Sequence, residues 1–382
     1  MNRCKLLIYY YTRLLAFSLL LFSLFSCNKE NSTGDGLNTG SFIKKVETQY
    51  AEKEIYSVSS LGSDPSYQPT WLISFDGCSQ LIVADPFEKI IVLLNGEGVE
   101  LSRAGGIGRG PGEFQSILHL HIGKDNRLYV VDALEFRISI YTIIDKKLEY
   151  VKSVPFKNPS NYYLNSVYVT EHGNFGVYQV FESYFTPDNK FFLYRLDDNF
   201  SPIEQLLEMP GHERRKIESS HFTFYSPYKY LSQTIWYYDS ERFYFITTIE
   251  SIVHAYDVTT GEKEKITYLK LDERANSNEF TRSVKSSYPV EDEDYWDTLE
   301  QIDKLPLFNG FLANGEDLYL ALMPTPGKDG MLLALNLDSE EVTTIRTPQE
   351  FIPRTACRNS IFGINFRTDA DSEILNVVFD PK

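Results

Sequence analysis

Apolar residues along this chain fall in short runs closed by polar turns, without helical periodicity. Residues 81–93 read LIVADPFEKIIVL and residues 128–140 read LYVVDALEFRISI. Leu81 and Leu128, Val83 and Val130, Asp85 and Asp132, Glu88 and Glu135, and Ile91 and Ile138 all coincide at a spacing of 47. A further step of 47 reaches Phe175, within NFGVY. Similar runs follow polar turns at Phe243 (ERFYFIT), Leu318 (EDLYLAL) and Ile361 (NSIFGIN), so six anchors stand 47, 47, 68, 75 and 43 residues apart. A second apolar run follows the anchor, such as Ile138–Tyr141, Ile252–Tyr256 or Leu332–Leu335, then a turn such as Asn95-Gly96 or Thr260-Gly261. Runs of this length, bounded by turn residues, predict strands.

A period of 40 to 50 residues holding several strands is that of propeller blades. The predicted fold is all-β, a six-bladed β-propeller. Only about 20 residues follow Ile361, too few for a whole blade. The partly alternating segment 42–58 is therefore expected to supply the missing strand to the last blade, closing the ring and removing sheet edges. The two long intervals predict insertions, the second holding EDEDYWD at 291–297 and a short amphipathic helix over 294–305.

Two segments carry a family resemblance: VVDALEFRISIY, and the stretch from Val83 through LSRAGGIGRGPGEF to Phe114. Both resemble NHL-type repeats, in which a strand ends in Asp and a Gly-Pro-Gly-Glu-Phe crossover leads to the next blade. The match is best over 81–142; the chain as a whole is similar to NHL- or TolB-like six-bladed propeller lipoproteins. The resemblance implies fold and location more than activity.

Composition adds little to the fold but narrows the partners. Tyr and Phe, 26 each, suit half-buried pleated surfaces. The net charge is −16, and −19 once the basic residues Arg3, Lys5 and Arg13 of 1–26 are set aside. Nucleic-acid binding relies on clustered Lys and Arg and is not expected. Residues 1–26 place those three charges before an uncharged apolar run, 14–25, which is shorter than the ~20 residues of a membrane span. Leu24-Phe25-Ser26-Cys27 resembles a bacterial lipobox, which implies cleavage before Cys27 and its acylation. Residues 27–40 read as a flexible tether, and 41–382 as the propeller.

Candidate chemistry is sparse. The glycines of 105–112 resemble a phosphate cradle, but Pro111 and a strand follow where a dinucleotide loop needs a helix, so an interblade crossover is expected, with Arg109 at its centre. Asp85 and Asp132, at equivalent strand ends, are expected to accept from backbone N–H groups of the next turn. His119 and His121 alternate on one inner strand and share a face, where they are placed to reach the channel. A zinc site needs three or four ligands, and His172, His212, His221 and His254 do not recur at the matching blade position. Cys78 and Cys357 precede anchors in neighbouring blades and are read as separate thiols, with a bridge as the alternative. Aromatic residues of the insertions, Tyr225, Tyr228, Tyr230, Tyr295 and Trp296, are the candidate contacts.

The sequence thus reads as an envelope lipoprotein that binds a protein, peptide or glycan, with no cofactor and no catalytic constellation. The alternative is a metal-dependent lyase or hydrolase in the channel. Cys27→Ala is expected to move the protein from the membrane fraction to the soluble fraction; an uncut mutant still partitioning with membranes would refute the lipobox reading.

Overall fold

The computed structural model describes residues 38–39, 44–48, 50–58 and most of 71–379; the segments 1–37, 59–70, 181–189, 219–222, 228–233, 271–307, 323–329 and 366–371 and a few turn positions, Cys78 and Phe87 among them, fall outside the description. For the strand residues of 38–58, 71, 214–227, 265–270, 308–309, 341–342, 365 and 372–379 the backbone alone is described. Cys27, Tyr228, Tyr230, Tyr295, Trp296 and the helix expected over 294–305 lie outside the described residues. Among the described residues, all long regular elements are strands.

Five blades are each built from four consecutive strands. Blade 1 comprises Trp71–Phe75, Gln80–Asp85, Ile90–Asn95 and Glu100–Gly105. Blade 2 comprises His119–Ile122, Arg127–Asp132, Arg137–Ile144 and Lys147–Pro155. Blade 3 comprises Tyr162–Thr170, Gly173–Val180, Lys190–Leu196 and Pro202–Pro210. A hairpin, Arg214–Glu218 with Thr223–Pro227, occupies part of the long third interval. Blade 4 runs through Thr234–Tyr238, Arg242–Thr247, Ile252–Asp257 and Lys263–Lys270. Blade 5 runs through Phe308–Asn314, Asp317–Leu322, Gly330–Asn336 and Glu341–Thr347. Blade 6 has three strands of its own, Phe351–Cys357, Ser360–Asn365 and Ser372–Phe379.

Its fourth strand comes from the other end of the chain. Tyr50–Val58 pairs antiparallel with Ser372–Phe379, Ile374 opposite Tyr56. The expectation for 42–58 therefore holds for its second half. Its first half differs: Lys44–Thr48 lies parallel to Glu341–Thr347, on the outer edge of blade 5. The physical reason is that two neighbouring blades each present an unpaired outer edge, and one extended segment satisfies the backbone groups of both.

Each blade's first strand lies innermost, and these inner strands neighbour one another around the ring axis. Because every blade is covered on both faces, its middle strands are continuous apolar runs rather than alternating ones. Gln80–Asp85 is buried at every position except Gln80. All six anchors, Leu81, Leu128, Phe175, Phe243, Leu318 and Ile361, are fully buried. Side chains from adjacent blades merge into shared cores: Ile82, Ile91 and Phe114 with Leu128 and Val130 between blades 1 and 2; Val131 and Ile138 with Leu164 and Val167 between 2 and 3; Phe175 and Phe191 with Phe243 and Tyr256 between 3 and 4. Tyr244 meets Phe311 between 4 and 5, and Leu312 and Tyr319 meet Phe351 between 5 and 6. Leu72, Leu81 and Val92 enclose Phe362 at the seam of blades 6 and 1.

That seam is also tied by polar bonds. The Ser74 and Thr355 hydroxyls are 2.6 Å apart. Cys357, next to it on the same inner strand, is disulfide-bonded, against the expectation of a separate thiol. Removing residues 42–58 is expected to lower the midpoint of one cooperative thermal transition; an unchanged midpoint would contradict ring closure by this segment.

Candidate binding surface

Blade 1 leaves its outer strand through Gly105 and Gly106, at φ of 104° and 133°. A Cβ on Gly105 would lie 2.5 Å from the Lys89 carbonyl oxygen, so only glycine fits. The loop then folds back on itself, Phe114 N donating to Gly106 O at 2.9 Å, and buries Phe114 completely. The Glu113 carboxylate turns inward and accepts from Gly110 N at 2.8 Å. This is the expected interblade crossover; its glycines are filled by the chain's own Glu113.

The crossover leans on the turn between the second and third strands of blade 2. Asp132, fully buried at the end of its strand, accepts from Gln115 N at 3.1 Å, Ser116 N at 3.0 Å and Glu135 N at 3.4 Å. Asp85 accepts from Glu88 N at 3.1 Å, the equivalent bond in blade 1. Both aspartates thus hold turns, as their position in the repeat predicts. Arg137 clamps the two loops: its Nη1 donates to Arg109 O at 3.0 Å and its Nη2 to Glu113 O at 2.7 Å, with Asp132 Oδ2 at 3.6 Å. Arg109, 79% exposed, pairs with Glu135 at 3.0 Å. An exposed pair of this kind contributes about 0–1 kcal/mol, so Arg109 remains a surface group.

On this braced rim stand three apolar side chains in water: Ile107, 71% exposed, Leu134, 66%, and Phe136, 52%. Phe136 has φ of 48°, where a bulky residue is an outlier. Blade 1 has Lys89 at the matching position, also left-handed at 55°. The turn geometry is therefore shared, with a lysine in blade 1 where blade 2 has an aromatic ring. Phe136 is held by its carbonyl, which accepts from Phe156 N at 3.0 Å, and by edge contact with the Phe156 ring. Sequence reasoning missed this trio; the only signal was Leu134 and Phe136 standing inside a turn.

His119 and His121 face blade 3. His119 is buried and accepts from Val167 N at Nδ1, 3.4 Å away, while His121 Nε2 lies 3.3 Å from Val169 O. Both rings meet the edge of Tyr168, at 5.1 and 5.3 Å between centroids, and Tyr168 passes on to Tyr238 and Phe243 of blade 4. Trp236 Nε1 donates to Ser166 Oγ at 3.3 Å and joins the inner strands of blades 3 and 4. Burial holds His119 well below the ordinary histidine range and pushes His121 down to about 4, with the Val169 carbonyl and the Asp125 charge opposing. Burial likewise raises the Tyr168 hydroxyl. Among the described residues no three His, Cys, Asp or Glu side chains come together as a metal site. Tyr225 lies on the hairpin strand Thr223–Pro227, opposite Lys216, away in sequence from both histidines and the rim.

A known family model matches the chain. Its description is a 6-bladed beta-propeller, and it matches residues 72–323. The chain belongs to this family, DUF5128. Among solved structures similar to the chain, an exported protein of Bacteroides fragilis is 13% identical, with 88% of this chain and all of that one covered and a TM-score of 0.50. A calcium-binding regucalcin of Agrobacterium tumefaciens is 10% identical over 88% of this chain and 97% of that one, at a TM-score of 0.46. The virginiamycin B lyase of Staphylococcus aureus is 10% identical over 86% and 98%, at 0.42. No curated protein matches the sequence.

The histidine pair gives a pH dependence. A histidine whose folded-state affinity for protons is lowered binds fewer protons folded than unfolded, so its contribution is complete above about pH 6.5 and is lost as pH falls towards 4. The wild type is expected to lose up to about 1.4 kcal/mol per pH unit for each histidine in that window, relative to a His119→Gln/His121→Gln variant. Parallel stability curves for the two proteins between pH 6.5 and 4 would contradict the assignment.

Proposed function

We propose that this propeller is a lipid-anchored envelope protein that binds a protein or peptide partner through the rim at the blade 1–blade 2 crossover. The observation that carries the reading is Phe136, a half-exposed aromatic ring held in a left-handed backbone conformation beside Leu134, Ile107 and Arg109. A strained conformation persists only where its surroundings enforce it, and such strain concentrates at functional positions. Aromatic residues and arginine dominate interface hot spots, and the Asp132–Arg137 bracing lowers the ordering cost of binding.

Export is supported by two independent features. One is the apolar run that ends at Cys27. The other is the disulfide at Cys357, since such bonds persist mainly in oxidising compartments. The NHL-type reading of blades 1 and 2 is supported by the aspartate-held turn they share.

Phe136→Gly separates binding from folding. Glycine relieves the left-handed strain of about 1 kcal/mol or more, which offsets the loss of ring contact with Phe156, so the melting midpoint is expected to stay level or rise. Capture of the envelope partner is expected to fall at least tenfold, more so with Leu134→Ser added. Undiminished capture by the double variant would remove the rim from the binding site, and a large fall in midpoint would make Phe136 a structural residue.

A further inference from the structure

The inner strand of blade 6 carries one residue too many. Pro353 stands opposite Gly363 and Thr355 opposite Phe362, so Arg354 is the extra residue of a β-bulge. Its neighbours settle which way each side chain goes. Phe351 and Ala356 join the core shared with Leu312 and Tyr319 of blade 5, and Pro353 closes on Gly310 of the same blade. Thr355 turns to blade 1, where it meets Ser74. Arg354 is thus the bulged residue of the innermost strand of its blade. Bulges commonly re-aim a side chain in this way beside functional sites.

The guanidinium is left in an unusual state. Arg354 is half-buried, and its Nε is enclosed without a hydrogen-bond partner. It has no hydrogen-bond or ion-pair partner among the described residues. Desolvation alone pushes it down to about 10. A buried charge without a partner is expensive, so a sequence that retains one needs a compensating anion. Bulges recur on two other inner strands. Register shifts between Leu164 and Ser166 in blade 3, and between Phe308 and Gly310 in blade 5, make Asn165 and Asn309 the extra residues there. Asn165 has a partner within its own blade, its Nδ2 donating to Gln179 Oε1 at 3.3 Å, whereas Arg354 has none among the described residues.

We propose that Arg354 anchors a small-molecule site in the central channel that takes an oxyanion, either a carboxylate or a phosphate. The fork of a guanidinium fits both, because each offers two oxygens to parallel N–H donors. The site is separate from the rim of blades 1 and 2, so either proposal can fail without the other.

The test uses the whole mature chain, with inorganic phosphate and succinate as probes against chloride at constant ionic strength. Thermal midpoint and titration calorimetry are read together. The wild type is expected to bind at least one probe saturably, with a rise in midpoint, and whichever probe binds identifies the oxyanion class. Arg354→Lys is expected to weaken that binding about tenfold or more, since it keeps the charge and loses the fork. Arg354→Met is expected to abolish it while leaving the ligand-free midpoint level or higher, because the unpaired charge is gone. No saturable binding of either probe to the wild type would overturn the proposal, as would an equal response from Arg354→Met. Should Arg354→Met fail to fold, an undiminished response from Arg354→Lys would overturn it instead.

Discussion

Everything in this structure depends on burying both faces of each blade. A four-stranded sheet whose middle strands are apolar throughout, as in Gln80–Asp85 and Ile90–Asn95, has no face it can leave in water. Each blade therefore needs two neighbours, and a row of blades satisfies its ends only by closing into a ring. The seam between blades 6 and 1 is where that requirement is most exposed, since nothing in the sequence order forces those blades together. There the chain concentrates Phe362 in its apolar seat and the Ser74–Thr355 hydroxyl pair. The outer strand of blade 6, taken from residues 50–58, joins the two ends of the chain in one sheet.

Closure also explains where the molecule has freedom to specialise. The inner strands and middle strands are fixed by packing on both sides, while the crossover of blade 1 and the turn of blade 2 need only a few polar bonds to be stable. Asp132 and Arg137 supply those bonds from beneath, and the upper surface is left to carry Ile107, Arg109, Leu134 and Phe136. In the same way, a bulge adds Arg354 to the inner strand of blade 6 without a partner for its guanidinium among the described residues. Both features place a side chain where ring packing does not require it.

Much of this was legible in the sequence. The six anchors mark the second strand of every blade, because a doubly covered strand leaves an uninterrupted apolar run behind an exposed turn. The strand at 50–58 was legible by arithmetic, since too few residues follow Ile361 to finish a blade. The pairing of 44–48 with blade 5 was not, because alternation does not say which of two open edges a strand will take. His119 and His121 share a face as their spacing dictates, but that face turns to Tyr168 of blade 3, and only the angle between blades decides this. Phe136 is disguised by its place in the repeat: the left-handed turn position is a backbone property, shared with Lys89, that side-chain patterning does not reveal. Arg354 is hidden for a related reason, since one residue added to a strand is invisible until its partner strand is aligned against it.

Hydrogen exchange of the native chain tests the central claim most directly. If ring closure governs stability, amides of Tyr50–Val58, Ser372–Phe379 and Trp71–Phe75 exchange only through global unfolding, with the same free energy as the anchors at Leu128 and Phe175. Exchange of the first two segments through a low-energy local opening, while Leu128 and Phe175 stay protected, would show that the seam frays independently and that the ring does not depend on it.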